Sequence, residues 1–322
     1  MLESRGTWTD LIPDVGLRIS EVFDQANEEY RPGINQVLIQ STGEGAQKNY
    51  SGKTGLGEVS RFEEGDNIGG NSRYKTYTTQ VEYNNYGGYV QVTKNNIDDR
   101  DFEAQLDEMK DLAIAMNYSQ DKAGIQLFNG GFATTRDVNG YRMTYYGDGV
   151  PTFSTVHPTV VPGGSTQSNA SSTSIAFGHD NLETAKVALT LQQTDDGLAT
   201  MMGGKPMVVL PINLEREGRE ETESTLDPET ANNTINIHRG TTDMLSCQHL
   251  DATNGGSNTA WYLTIPGRAK MYHEVRQAPD METDVDILSK NVTFTADARW
   301  ANYVKDWRRT WGSKGDLTAY SS

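Results

Sequence analysis

The chain has 322 residues, 28 basic and 44 acidic side chains for a formal charge of −16, only 35% hydrophobic residues, 32 glycines and one cysteine, Cys247. The acidic surplus excludes a sequence-reading nucleic-acid binder, which needs a basic stripe to neutralise phosphates. The lone cysteine excludes an intrachain disulfide or a zinc site built from several thiolates.

Residues 1–30 have no basic start followed by an apolar run, and no stretch reaches the ~18 apolar residues that a membrane span requires. No visible export signal and no lipid embedding are therefore expected, and a reducing cytoplasm is the simplest compartment. Ordering each residue costs on the order of 1–2 kcal/mol. A chain with so little to bury is expected to complete its burial against neighbours.

In chain order, Leu17, Ile19, Val22, Phe23 and Ala26 form a short helical stripe that Pro32-Gly33 ends. Residues 36–40 are apolar enough for a strand. Residues 41–79 turn to Gly, Ser, Thr, Asn and charge with scattered Tyr50, Leu56, Phe62 and Tyr74, which predicts a long, two-stranded projecting loop. Its return arm is expected over 80–93, interrupted at Gly87-Gly88.

Phe102, Leu106, Met109, Ala113 and Met116 recur at spacings of three and four, predicting a helix over 98–129 with Asp98 or Asp99 as N-cap and Gly130-Gly131 as stop. Its stripe weakens at Tyr118-Ser119-Gln120, where a bend is expected. Residues 130–178 read as irregular. Asp180 with Glu183 resembles a capping box opening the next helix. The run 206–211, bracketed by prolines, predicts a buried central strand, and 214–225 an acidic helix. Segments 260–266, 269–275, 284–288 and 291–298 alternate like an antiparallel sheet. Helices and strands are mixed along the chain, so the class is α+β.

Candidate chemical motifs have plainer readings. Gly52-Lys53-Thr54 ends like a phosphate-cradling loop, but Gln47 stands where its first glycine belongs and no helix pattern follows. Asp280, Glu282, Asp284 and Asp286 share one face of a strand and could offer oxygens to a hard cation, yet calcium-loop spacing is absent and a solvated acidic face is the simpler reading. Ser154 with His157, and Cys247 with His249, lack a strand-to-helix nucleophile elbow. The five histidines, at 157, 179, 238, 249 and 273, show no metal spacing and read as loop or surface residues. No catalytic, cofactor or metal site is expected.

Two segments carry a family resemblance. Asp148, Gly149, Pro151, Phe153, Ser154, His157 and Pro158, followed by a glycine-rich turn and Asn169, resemble a signature of the major capsid proteins of tailed bacteriophages, with Thr152 in place of the usual leucine. Asp306, Trp307, Arg308, Gly312, Ser313 and Gly315 are similar to the family's closing stretch. The resemblance implies the Hong Kong 97-type capsid fold: an N-terminal arm (1–40), an extended β-hairpin loop (41–93), a peripheral domain with a long spine helix (94–178 and 259–322) and an axial domain (179–258).

It further implies a non-enzymatic major head protein that assembles into hexamers and pentamers of an icosahedral shell. That shell encloses double-stranded DNA without sequence-specific contact, in a virion put together in the host bacterial cytoplasm. A portal and a separate scaffolding protein are implied partners; no cofactor and no membrane are. Tyr50, Leu56, Phe62, Trp300, Trp307, Arg308 and Trp311 are the candidate inter-subunit contacts, since clustered Trp and Arg make rigid amphipathic anchors. No motif for a lysine–asparagine cross-link matches. The alternatives are an encapsulin-like compartment of the same fold and, further off, an acidic hydrolase or sugar-binding protein.

Overall fold

The computed structural model describes residues 8–29, 33–59, 61, 63–64, 72–99, 101, 103–200, 203–226, 235–286 and 288–320. Helix α1 (Trp8–Glu29) buries Ile19, Phe23 and Ala26 as the stripe predicts, but Leu17, counted in that stripe, is exposed. A 3-10 turn at Gly33–Gln36 follows and delays the strand expected over 36–40. Its amides explain the difference: Ile34 N donates to Asp121 Oδ1 at 2.7 Å, and Val37 N and Leu38 N fold back onto the Ile34 carbonyl. Strand β1 (Ile39–Thr42) starts only after that turn.

Strands β2 (Gln47–Tyr50) and β3 (Thr79–Glu82) pair antiparallel, and the pairing continues outward at Lys53 and Lys75. The two strands of the expected loop pair at its base, but most of the expected return arm over 80–93 pairs with β11 instead. Strand β4 (Asn84–Val92) runs unbroken through Gly87-Gly88, against the expected interruption. A Cβ on Gly87 would lie 2.7 Å from the Ala296 carbonyl oxygen, so glycine there admits a neighbouring backbone instead of ending the strand.

A short helix α2 (Lys94–Asp99) precedes α3 (Glu103–Asn129). Asp98 and Asp99 therefore lie in α2 and do not cap the long helix; Phe102 falls outside the described residues. At 27 residues, α3 is ~40 Å long. It passes through Tyr118-Ser119-Gln120 without a break, with Ser119 Oγ donating to the Ala115 carbonyl inside the helix. The stripe weakens there because Leu106, Met109, Ala113 and Met116 give way to buried polar Asn117, Gln120 and Asp121. Asp121 is the residue that closes the Ile34 turn.

The remaining elements are β5 (Asp137–Val138), β6 (Tyr141–Thr144), α4 (His179–Thr190), β7 (Met207–Pro211), α5 (Glu215–Glu223), β8 (Asp243–Cys247), β9 (Trp261–Thr264), β10 (Lys270–Val285), β11 (Val292–Asp306) and β12 (Thr310–Ser313). Helix α4 begins one residue before Asp180, with Gly178 at its N-cap and no side-chain cap, so the capping box does not form. The expected strands 269–275, 284–288 and 291–298 merge into one long β10–β11 hairpin, its partners bonded from Lys270–Asp306 to Val285–Val292.

Six strands form a sheet in the order β1-β10-β11-β6-β5, with β4 also paired to β11. Four form a second, β12-β9-β7-β8. In the second, β7 is central and buried as its apolar run predicts. Strands β9 and β12 come from beyond residue 258, so this body does not end at the expected 258/259 boundary. The chain crosses between the two sheets twice after α5, from β9 to β10 and from β11 to β12.

Strand β11 organises the first body because both of its faces are covered. Val292, Phe294, Ala296, Ala298 and Trp300 project into a core shared with α1, α3 and β4, the alternation a strand imposes. On the other face Ala301 and Tyr303 pack against Val81 and Tyr83 at the base of the loop. The strand changes from alternating to continuously buried at Trp300, where the loop base lands on it.

Replacing Gly87 by Ala is expected to force β4 away from β11 and destabilise the chain by roughly 1–3 kcal/mol. A urea unfolding midpoint that falls with an unchanged slope is the expected readout; an unchanged midpoint would show that the strands tolerate the extra carbon.

Candidate functional site

The loop base is fixed to the body by one carboxylate. Glu274 on β10 is 1% exposed and accepts from Lys48 Nζ at 2.9 Å, Tyr50 OH at 2.9 Å, Tyr83 OH at 2.8 Å and Tyr303 OH at 2.7 Å. Three of these donors stand on or beside β2 and β3, and the fourth on β11. Burial alone would raise the Glu274 carboxyl, but the hydrogen bonds from Tyr303, Lys48, Tyr83 and Tyr50 outweigh it and hold it below the ordinary value. The same bond raises Lys48 above the ordinary lysine range.

Around this centre the aromatic rings form a ladder. Tyr50 stacks on Tyr303 at 5.2 Å and Tyr303 on Tyr272 at 5.1 Å, with the Lys305 ammonium 4.4 Å from the Tyr50 ring centroid. Tyr50, a candidate neighbour contact, is therefore committed to its own chain.

The two segments that carry the resemblance meet in a second construction. His157 lies flat on Trp307, centroids 4.0 Å apart and planes 8° from parallel. His157 Nδ1 bonds Asp148 Oδ2 at 2.8 Å and Nε2 bonds Asn169 Oδ1 at 3.1 Å. The Asn169 amide is oriented by its other bonds: Oδ1 accepts from Ser154 N, and Nδ2 donates to the Thr152 carbonyl. Both ring nitrogens of His157 thus have a polar partner. Phe153 fills the space beneath, against Phe132 and Tyr262. A Cβ on Gly312 would lie 2.8 Å from the Phe153 ring, which accounts for the glycine in the closing segment.

This arrangement corrects the reading of the tryptophans as outward anchors. Trp300, Trp307 and Trp311 are 1%, 1% and 2% exposed within a single chain. Trp300 stacks on Tyr86 at 4.0 Å, and Trp311 packs on Trp261 at 4.8 Å. Arg308 bonds Asp195 at 2.8 Å, Asp306 at 3.1 Å and the Gln193 carbonyl at 2.6 Å. Their clustering in sequence reflects two strands and the turn between them, buried at consecutive positions over 300–304 and 310–313. Leu56 is about half exposed and Val59 is 85% exposed on the outer loop. Phe62 lies outside the described residues.

The remaining motifs resolve simply. Residues 52–54 pair with 74–76 as the outer hairpin, so their amides do not ring a phosphate. Ser154 and His157 are neighbours, but the ring nitrogen a nucleophile needs is taken by Asn169. Burial raises the Cys247 thiol to about 11, far from a nucleophilic thiolate. Asp280, Glu282, Asp284 and Asp286 are exposed. The histidines are not surface residues: all five are buried, each in polar or aromatic company that a one-dimensional spacing does not show.

Solved structures share this architecture. The capsid of cyanophage P-SCSP1u matches with a TM-score of 0.54 at 12% identity, over 88% of this chain and 87% of its own. The capsid of a native GTA particle matches at 0.54 and 11% identity, over 88% and 90%. The fold is the Hong Kong 97-type capsid fold. The capsid of Ralstonia phage GP4 aligns with it at 0.51 and 14% identity, over 87% and 86%. No protein-family model and no curated protein matches the chain. Within this fold the Glu274 centre sits where the loop leaves the body, and the His157–Trp307 clasp where the two sheets join.

The depressed carboxyl of Glu274 gives the loop base a defined acid limit. Stability from this group is fully present above the ordinary value of 4.5 and is lost as pH falls below it through the lower folded value. Limited proteolysis is expected to cut the loop base in acid before the β10–β11 hairpin opens. In Glu274→Gln that sensitivity should already be present at neutral pH; equal resistance of both proteins at every pH would remove the carboxylate from this role.

Proposed function

We propose that the chain is the major capsid protein of a tailed-phage-type particle, a subunit that assembles with copies of itself into the hexamers and pentamers of a closed icosahedral shell around double-stranded DNA. The supporting observation is the capsid fold, shared along most of the chain with particles whose own chains are covered to a similar extent. In this reading residues 1–40 are the arm, 41–93 the extended loop, α3 the spine helix, and the body around β7 the axial domain, enlarged by β9 and β12. A portal and a separate scaffolding protein are its assembly partners, and the host cytoplasm is where it assembles.

The division of labour follows from burial. Tyr50, Trp300, Trp307, Arg308 and Trp311 hold the subunit in shape, and Leu56 with the outer loop meets a neighbour. Each such contact is small, at ~25 cal/mol per Å² of apolar surface. Many weak contacts allow misplaced subunits to leave, and closure on symmetry makes the total strong. The formal charge of −16 keeps packed duplex from adhering to the wall. No metal-dependent or group-transfer step enters this reading.

Electron micrographs of the expressed protein, alone and with a scaffolding protein, are expected to show closed shells of uniform diameter, and purified empty shells should not retain duplex DNA at moderate salt. A monomer at every concentration and with every partner would overturn the proposal. Particles that form without a portal and carry protein cargo instead of DNA would identify an encapsulin-like compartment.

A further inference from the structure

We propose that His179, Glu221 and His238 form a binding site for a divalent first-row transition ion of the zinc class. The three come from different elements: the first residue of α4, the last turn of α5, and the loop before β8. Their separation of 42 and 59 residues conceals the group from any spacing rule. All three are buried, His238 completely, and one ligand atom from each lies within 4.8 Å of the others.

Two imidazoles and a carboxylate are a zinc-type donor set, with a fourth position open to water. His179 Nδ1 and Glu221 Oε2 are 2.7 Å apart, and the two imidazole rings 4.4 Å apart. In a tetrahedral site with bonds of ~2.0–2.1 Å, ligand atoms stand roughly 3.4 Å from one another. Against that spacing the His179–Glu221 pair must open slightly from 2.7 Å and the widest separation, up to 4.8 Å, must close by roughly 1.4 Å, which rotamer changes on the three side chains can supply. A buried carboxylate is costly without a positive partner, which a bound cation would supply. Lys186 Nζ stands 3.3 Å from His238 Nδ1 and 3.3 Å from Thr241 Oγ1, while Glu183 lies 4.0 Å away on its outer side.

The lysine occupies the His238 ring nitrogen that an ion would take. A bound ion replaces it: the ammonium turns outward toward Glu183, and the ion sits between the three side chains. The ion then ties α4, α5 and the loop before β8 to one point. This inference does not depend on the capsid reading.

The test uses the full chain, stripped with a chelator and titrated with Co²⁺ alone, then with Zn²⁺. The expected result is a tetrahedral Co²⁺ visible spectrum that saturates at one equivalent per chain and is displaced by Zn²⁺. It should be lost in His238→Ala and in Glu221→Gln when both retain native circular dichroism. If those variants do not fold, Lys186→Met decides, since it keeps every ligand and removes one like charge; roughly tenfold tighter Co²⁺ binding supports the site, and unchanged affinity overturns it. No saturable spectrum in the wild type, or a spectrum that survives both ligand substitutions, also overturns it.

Discussion

A single buried carboxylate decides how this chain can carry a limb. A two-stranded ribbon is at best marginally stable alone in water, so a projecting loop needs a fixed root. Glu274 supplies it by gathering Lys48, Tyr50, Tyr83 and Tyr303 at one point. An isolated buried ion would be strongly unfavourable, but four donors satisfy the carboxylate, and removing it would leave three tyrosine hydroxyls without their acceptor. The root is therefore specific as well as stable. The loop base belongs to the body, and its two strands stay paired out to Lys53 and Lys75.

The same logic governs the junction of the two sheets. The chain passes from β11 through Trp307 and Arg308 into β12, so the last residues of one sheet lead directly into the other. His157 stacked on Trp307, and Asn169 bonded to the Thr152 carbonyl and to His157, hold the 148–169 loop over that crossing. Arg308 with Asp195 and Asp306 closes its outer side. The two sequence segments that resemble capsid proteins are thus halves of one structural joint, and their shared pattern has a stability reason without any catalytic one.

What could be read along the chain was local. The stripe in α1, the long helix α3, the two-stranded loop and the central strand β7 all follow from periodicity and from bracketing prolines or glycines. What could not be read depended on partners distant in sequence. Gly87 looked like a break because its neighbour Ala296 is invisible in one dimension. Trp300, Trp307 and Trp311 looked like surface anchors because clustering in sequence says nothing of the two cores they enter. Glu274 carried a signal that went unused: a lone carboxylate between His273 and Val275 in an apolar strand must find buried donors. The histidines were misplaced for the same reason, since residues 42 and 59 positions apart converge only through the fold.

Amide hydrogen exchange on the unassembled full chain tests most directly whether the limb is rooted in the body. The account predicts that the β2 and β3 amides exchange as slowly as those of the β10–β11 hairpin, while residues 55–59 exchange quickly. Rapid exchange throughout 47–82, with β10 and β11 still protected, would contradict it.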